Sequence, residues 1–410
     1  QELLERLAGL DLDMWITEGT EEARLGVLAV ANSLDLSDAW VVDLGGGSVQ
    51  VSRMEGRRFA EGESYPLGMV RMSERFLHSD PPRRSEVLAL ETEAERLLGP
   101  VVEEIRSSEL PLVAVGGTVR NLARAVQKRM AYPLELLHGY VLARADLEAL
   151  TARLLASSKE ERATIPGIRE DRSDVIAAGA VIFRWLLQNA GRRSLQISGH
   201  GMREGALYRH FLPEPHLLED VRRFSIENLL AEFPQPRAHV RHVERLALRV
   251  FEGLAPAFGL SPEDRQILVA AARLHDLGMA LFYYRHHRHG AYLLGSGPLA
   301  GFSHREQALI MVMVQYHEKG LPRTAPYDPI LRPGDALLLL RLTACLRLGE
   351  HLERSRVGRV KDLRVEVRDE RVVLHLAADE EPVVEIWEAK KLTSGLFQEA
   401  FARTLEIQRE

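Results

Sequence analysis

Val41-Val-Asp-Leu-Gly-Gly-Gly-Ser48 sets a short apolar run against three consecutive glycines, with one carboxylate near the junction. The run Trp40–Leu44 is apolar on both faces, which reads as a buried strand of an α/β sheet. Asp43 then emerges at the strand's carboxyl end, where such sheets open their ligand crevices. Gly45, Gly46 and Gly47 carry no Cβ, so phosphate oxygens can approach the backbone N–H groups, and Ser48 adds a hydroxyl donor. Asp43 is placed to hold a Mg²⁺ ion, directly or through water. A tight hairpin turn needing positive φ would use the same glycines, so this motif alone leaves both readings open.

Working outward, a helical segment Glu21–Ser33 precedes the run and a strand Val49–Met54 follows it. A helix around Ser85–Ser107 leads into a second apolar run, Leu112–Val115, and then into Gly116-Gly117-Thr118 and a helix from near Val119. A glycine turn that opens a helix offers unpaired N–H groups to an anion, although Thr118 by itself also reads as an N-cap. A third strand, Ser194–Ser198, precedes Gly199-His-Gly-Met-Arg-Glu-Gly205 and another helix. Two glycine turns after two buried strands imply one cleft. Upstream, Thr17-Glu-Gly-Thr-Glu-Glu-Ala-Arg24 opens the first helix with Glu21 and Glu22. Acidic residues there answer the helix macrodipole; a carboxylate beside a metal-bound phosphoanhydride can also orient and deprotonate water.

A chain of 410 residues is long for a single core. Residues 1–210 read as α/β. Pro213, Pro215, Pro234 and Pro236 mark a change of character, and 211–355 shows helical spacing without strands. Residues 356–410 contain two alternating runs about Asp369–Glu370, a hairpin signal, and read as a small α+β appendage ending in a helix. The composition, 46% hydrophobic and 27% charged, is that of a globular protein, and no apolar run is long enough to span a bilayer. One cysteine, Cys345, and an N-terminus without signal-like character point to the cytoplasm. A net charge of −6 argues against nucleic acid as a partner. Only six of the 53 basic residues are lysine; arginine suits bidentate phosphate contacts, and a genome-wide arginine bias explains the same count.

The strings Glu21-Glu-Ala-Arg-Leu25, Val41–Ser48, Ala114-Val-Gly-Gly-Thr118, Ile165-Pro-Gly-Ile168 with Asp171-Arg-Ser-Asp-Val-Ile176, and Met202-Arg-Glu-Gly205 together resemble the exopolyphosphatase/guanosine pentaphosphate phosphatase (Ppx/GppA) family in order and spacing. The resemblance covers residues 15–210. It implies an actin-like, sugar-kinase-type (ribonuclease H-like) fold whose cleft removes terminal phosphate from inorganic polyphosphate or guanosine pentaphosphate, in a homodimer. By the matching motif, Glu22 is the catalytic base, Asp43 and Gly45 serve Mg²⁺ and phosphate, and Gly116–Thr118 bind the substrate's phosphates. Arg24, Arg71, Arg120 and Arg203 are candidate charge clamps. The chain departs from the family at two points. Its glycine loop ends in Ser48-Val-Gln50 where the family has Ser-Thr-Glu, so an amide replaces a carboxylate near the metal and affinity should fall. The family also begins with another α/β domain carrying a phosphate loop of DxGSxS type, and nothing before Glu21 supplies one.

In the helical region, His239 and the pair His275-Asp276 form the pattern by which metal phosphohydrolases of the HD superfamily activate water. Further candidates are His286-His-Arg-His289, His304 and His317. The region resembles the C-terminal HD-like domain of Ppx/GppA proteins; where that pattern places Ala-Asp, this chain has Gly349-Glu350, a longer arm that could still ligate. Helical histidines also cap helices or satisfy a core. Two rivals to a hydrolase working at the glycine turns therefore stand: a non-catalytic sensor of polyphosphate or alarmone, favoured by Gln50, and an HD-type metal phosphohydrolase.

Overall fold

The protein is described by a computed structural model covering residues 18–410; residues 1–17, and with them Thr17, lie outside the described residues. The chain divides into two compact units, one running to Glu219 and the other covering Asp220–Glu410; the short segment Tyr132–Leu136 belongs to the second.

The first unit is built on a six-stranded mixed sheet, with helices α1 (Gly19–Ala31), α2 (Met69–Phe76), α3 (Arg84–Ser108), α4 (Gly117–Arg129), α5 (Arg144–Ala156), α6 (Ile176–Asn189) and α7 (Met202–Phe211). The strands are β1 (Ala39–Leu44), β2 (Val49–Glu55), β3 (Arg58–Tyr65), β4 (Leu112–Val115), β5 (Val141–Ala143) and β6 (Ser194–Ile197), in the order β3-β2-β1-β4-β6-β5. β1, β2 and β3 form an antiparallel meander. β4 lies parallel to β1 and to β6, and β5 closes the edge antiparallel. The apolar run that reads as a buried strand is buried on both faces, Asp43 alone being partly open. On one face Val27, Val30 and Ala31 of α1 pack on Val41, Met54, Val113 and Val115.

This topology sends β1, β4 and β6 in one direction, so three glycine-containing segments, from Gly45, Gly116 and Gly199, leave the sheet at the same edge. Crevices for ligands open at such an edge.

The second unit is mainly helical: α8 (Val221–Glu232), α9 (Arg237–Phe258), α10 (Pro262–Leu274), α11 (His286–Ser296), α12 (His304–Tyr316) and α13 (Asp335–Leu352). It ends with β7 (Val360–Val367), β8 (Arg371–Ala378), α14 (Val383–Phe401) and β9 (Thr404–Arg409). The hairpin expected about Asp369–Glu370 is present, with Val367 opposite Val372. The C-terminus differs from expectation: after α14 the chain returns as β9, which pairs parallel with β8. Val360, Leu374, Leu376, Phe397 and Ile407 share one apolar core with Val243, Leu246, Leu342 and Leu346 of the helices, so residues 356–410 pack within the second unit. Among the described residues no helix is long and apolar enough to cross a membrane.

Candidate active site

The first glycine turn is a hairpin in which Gly45 N–H donates to the Ser48 carbonyl across 2.9 Å, between Leu44 and its cross-strand partner Val49. The turn's carbonyls are engaged from the other side: Met69 N–H donates to Gly45 O, and Val70 and Arg71 N–H donate to Gly46 O at 3.0 and 3.2 Å. Arg71 adds Nε–H to Gly47 O at 3.1 Å. Gly68 makes this approach possible, because a Cβ there would lie 2.2 Å from Gly46 O. With its carbonyls turned into the protein and the Gly45 N–H closing the hairpin, the loop leaves the N–H groups of Gly46 and Gly47 to face an anion. The motif does form a hairpin turn, but none of the three glycines takes a positive φ, so the turn does not need glycine for the expected reason.

Gly116 has φ 98° and ψ 170°, a region open essentially to glycine alone. A Cβ on it would fall 2.5 Å from Asp43 Oδ1, so the second turn lies directly against the carboxylate that ends β1. Burial, then the Glu22 charge, push the Asp43 carboxyl up to about 6, against the pull of Arg120. Glu22 reaches the same place from α1: its Oε2 accepts from Gln50 Nε2 at 3.1 Å, and Gln50 pairs across the ladder with Asp43. Gln50, nearly buried, also meets Ser48 Oγ at 2.9 Å and Ser64 Oγ at 3.3 Å. Glu21 instead faces α7 and pairs with Arg209.

The structure therefore brings together Glu22, Asp43, Gly45, Gly46, Gly47, Ser48, Gln50, Gly116 and Gly117. It does not bring Thr118 to them by its side chain. Thr118 is fully buried, and its hydroxyl donates to Leu44 O at 3.0 Å, fastening α4 to β1. Nor does it cap the helix, since the N-cap is Gly116. Arg120 donates to Gly116 O and Gly199 O, both at 3.2 Å, linking two of the segments. Arg24 is engaged elsewhere, 4.6 Å above the Phe59 ring. Arg203 is exposed on α7 and stands two residues from Gly205, the position that presses on the Leu25 backbone, hence on the helix's other side. Sequence reasoning missed Arg172, whose guanidinium would be 3.1 Å from a Cβ on Gly117. Its only signal was its place in the Asp171–Ile176 string.

The second unit holds a separate cluster. His239 on α9, His275 and Asp276 just past α10, His286 at the start of α11, His317 just past α12, and Glu350 on α13 are all buried. Glu350 Oε2 is 3.1 Å from His239 Nε2 and 3.2 Å from His275 Nε2. Asp276 Oδ1 is 3.2 Å from His286 Nε2, and Asp276 Oδ2 accepts from Arg356 at 2.9 Å. Burial alone would lower His275, but Asp276 and Glu350 lift it to about 9; burial and then the His275 charge press His317 down to about 3. His287, by contrast, turns to Glu318, and His304 meets Tyr132 Oη at 2.9 Å.

Two carboxylates above glycine turns at parallel strand ends, with arginines on the rim, equip an α/β protein for binding phosphate groups together with a cation. The chain belongs to the Ppx/GppA phosphatase family: residues 2–214 match that family, and residues 221–393 match domain III of the Ppx/GppA phosphatases. It is similar to the guanosine-5'-triphosphate,3'-diphosphate pyrophosphatase of Pseudoalteromonas atlantica (strain T6c / ATCC BAA-1087), 26% identical over 314 residues, or 76% of this chain. The match spans 60% of that relative's length. Among solved structures, the Aquifex aeolicus PPX-GPPA enzyme is 31% identical over 50% of this chain and 69% of its own, with a TM-score of 0.45. An exopolyphosphatase from Cytophaga hutchinsonii ATCC 33406 is 24% identical over 51% and 69%, with a TM-score of 0.48.

Proposed function

We propose that the first unit hydrolyses terminal phosphoanhydride bonds of inorganic polyphosphate, guanosine pentaphosphate or both. The observation that carries this reading is the arrival of Glu22 beside Asp43 and the first glycine turn, although it lies one helix away in sequence. In this scheme Glu22 orients and deprotonates a water for attack on the terminal phosphorus. The N–H groups of Gly46 and Gly47, the Ser48 hydroxyl and the N-terminus of α4 at Gly116–Gly117 bind the phosphate oxygens and stabilise the charge that develops on them. Arg71, Arg120 and Arg172 border the turns and neutralise the remaining phosphates. The strand order, a meander followed by parallel β4 and β6, supports an actin-like unit.

A half-buried carboxylate raised first by burial and then by its neighbour's charge suits a hard cation among oxygen donors. Asp43, with the Gln50 amide as a weaker partner, would hold Mg²⁺, which when bound offsets the substrate's negative charge.

The same Gln50–Glu22 hydrogen bond favours one rival, because it occupies an oxygen that the base needs. On that reading the protein binds polyphosphate or alarmone without turnover. The deciding experiment measures phosphate release from both substrates with Mg²⁺, for the chain, for Glu22→Gln and for His275→Ala. Loss in Glu22→Gln alone supports the proposal; loss in His275→Ala alone moves the chemistry to the second unit, and binding without release assigns a sensor.

A further inference from the structure

The second unit has a cavity of about 230 Å³ where α8, the start of α9 and the end of α10 meet. Glu227, Gln235, Arg237, Arg241 and Arg273 supply its polar lining, and Leu230 and Val240 its apolar part. It lies apart from the histidine cluster. Arg237 and Arg241 each stand two residues from His239, so at about 100° per residue they lie about 160° around α9 from it. Arg273 is compensated, since its Nη2 pairs with Glu227 and its Nε is 3.6 Å from Glu244 Oε2. Arg237 and Arg241 are not. Arg241 Nε donates to Arg237 O at 3.3 Å, and neither guanidinium meets a carboxylate among the described residues. Both stand in the first turns of α9, at the positive end of the helix dipole, where an acid is favoured and a cation costs stability. That turn has no acidic residue, and its N-cap, Pro236, makes no side-chain cap. Gln235 adds a group of the opposite kind. Its Nε2 donates to Arg273 O at 3.1 Å, which fixes the amide, because the flipped form would set two oxygens together. Its Oε1 is then buried with no donor, a state that costs stability until one is supplied.

A ligand that answers these groups carries negative charge for two unpaired guanidiniums and an O–H for Gln235. A carboxylate brings one charge, whereas a phosphate monoester brings nearly two, and its oxygens match the arginine forks. The volume bounds the rest of the ligand, being below the roughly 300–1,000 Å³ of clefts for drug-sized molecules. We propose that this cavity binds a small phosphate monoester bearing a free hydroxyl. The phosphate lies on Arg237 and Arg241, the hydroxyl donates to Gln235 Oε1, and Leu230 and Val240 pack on the carbon chain between them. The cavity with its unpaired arginines and orphaned carbonyl carries this reading; the open first turn of α9 adds N–H groups to the same phosphate.

The site does not depend on the glycine turns, and its test keeps the two apart. The full chain, stripped of metal and freed of chelator, is titrated with glycerol phosphate, and hydrogen exchange is followed segment by segment. Binding should slow exchange over residues 221–245. The affinity read from that protection should fall about tenfold or more in the double variant Arg237→Ala, Arg241→Ala, and by a similar factor in Gln235→Leu. Lactate, which offers a hydroxyl but a single negative charge, should bind the unaltered chain at least about tenfold more weakly. Glycerol should give no protection. Absence of protection in residues 221–245, an unchanged affinity in the arginine variant, or lactate binding as tightly as glycerol phosphate would each overturn the proposal. Arg237 and Arg241 are exposed, so their replacement leaves the fold in place, and the comparison of probes on the unaltered chain decides without any variant.

Discussion

Glu21 and Glu22 are neighbours in sequence with different surroundings. A helix turns about 100° per residue, so α1 delivers Glu21 to Arg209 and Glu22 to Gln50 and Asp43. If Glu22 is the base, Glu22→Gln should reduce phosphate release by about 10²–10⁴-fold, the usual worth of general base catalysis. Glu21→Gln, which loses only a half-exposed ion pair, should leave release within about twofold. Steady-state assays of the two variants side by side check this contrast. Gly116 offers a second test. Gly116→Ala forces a side chain into a glycine-only conformation and against Asp43 Oδ1, at a cost of about 1–3 kcal/mol. Urea unfolding should show the loss, and phosphate release should fall beyond what the lost stability explains, because the displaced group is the proposed magnesium ligand.

At the scale of elements, α13 joins a charged start to an apolar middle. Asp335 at its first turn accepts from Arg305 Nε and from Arg332 N–H, each at 2.7 Å. Burial works against its ionisation, but these partners hold the carboxyl below its ordinary value. A depressed folded value means that this stability is complete above the unfolded pKa of about 3.9 and is lost as pH falls through the folded one. The melting temperature should therefore decline below about pH 4, and the gap between the chain and Asp335→Asn should close as it does. Further along, Cys345 is wholly buried and burial pushes its thiol up, so a thiol reagent should label the native chain only after unfolding. Elements with strong local signals were readable in the sequence. β1 and β4 are short apolar runs ended by glycine, and α3 is a long amphipathic helix, found within one residue of its observed ends. β3, β5 and β9 were not readable. β3 is a polar edge strand, β5 has three residues, and β9 carries only Leu405 and Ile407 as apolar signal and finds its partner by a long return. For the site, the glycine motifs gave the place but not the partners: that Thr118 turns inward and Arg172 comes to the rim depends on α6 and its preceding loop packing near α4.

At the scale of the molecule, the break at Glu219 and Asp220 falls between the two family matches, which end at residue 214 and resume at 221. The exception is the short segment between α4 and β5, whose Leu134 and Leu136 are buried in the second unit's core at 3% and 8% exposure. Leu134→Ala should cost about 2–5 kcal/mol. Hydrogen exchange should locate the loss in α9 and α13 rather than in β1 and β4, although residue 134 lies in the stretch of chain that builds the sheet.

That segment also sets how the protein can come apart. A protease that nicks the chain once near residue 219 cuts one of the three places where the chain passes between the units, and leaves Leu134 and Leu136 of the earlier fragment buried in the core that the later one builds. The halves should co-migrate under native conditions and part only in denaturant, as a tenon stays in its mortise after the peg is drawn.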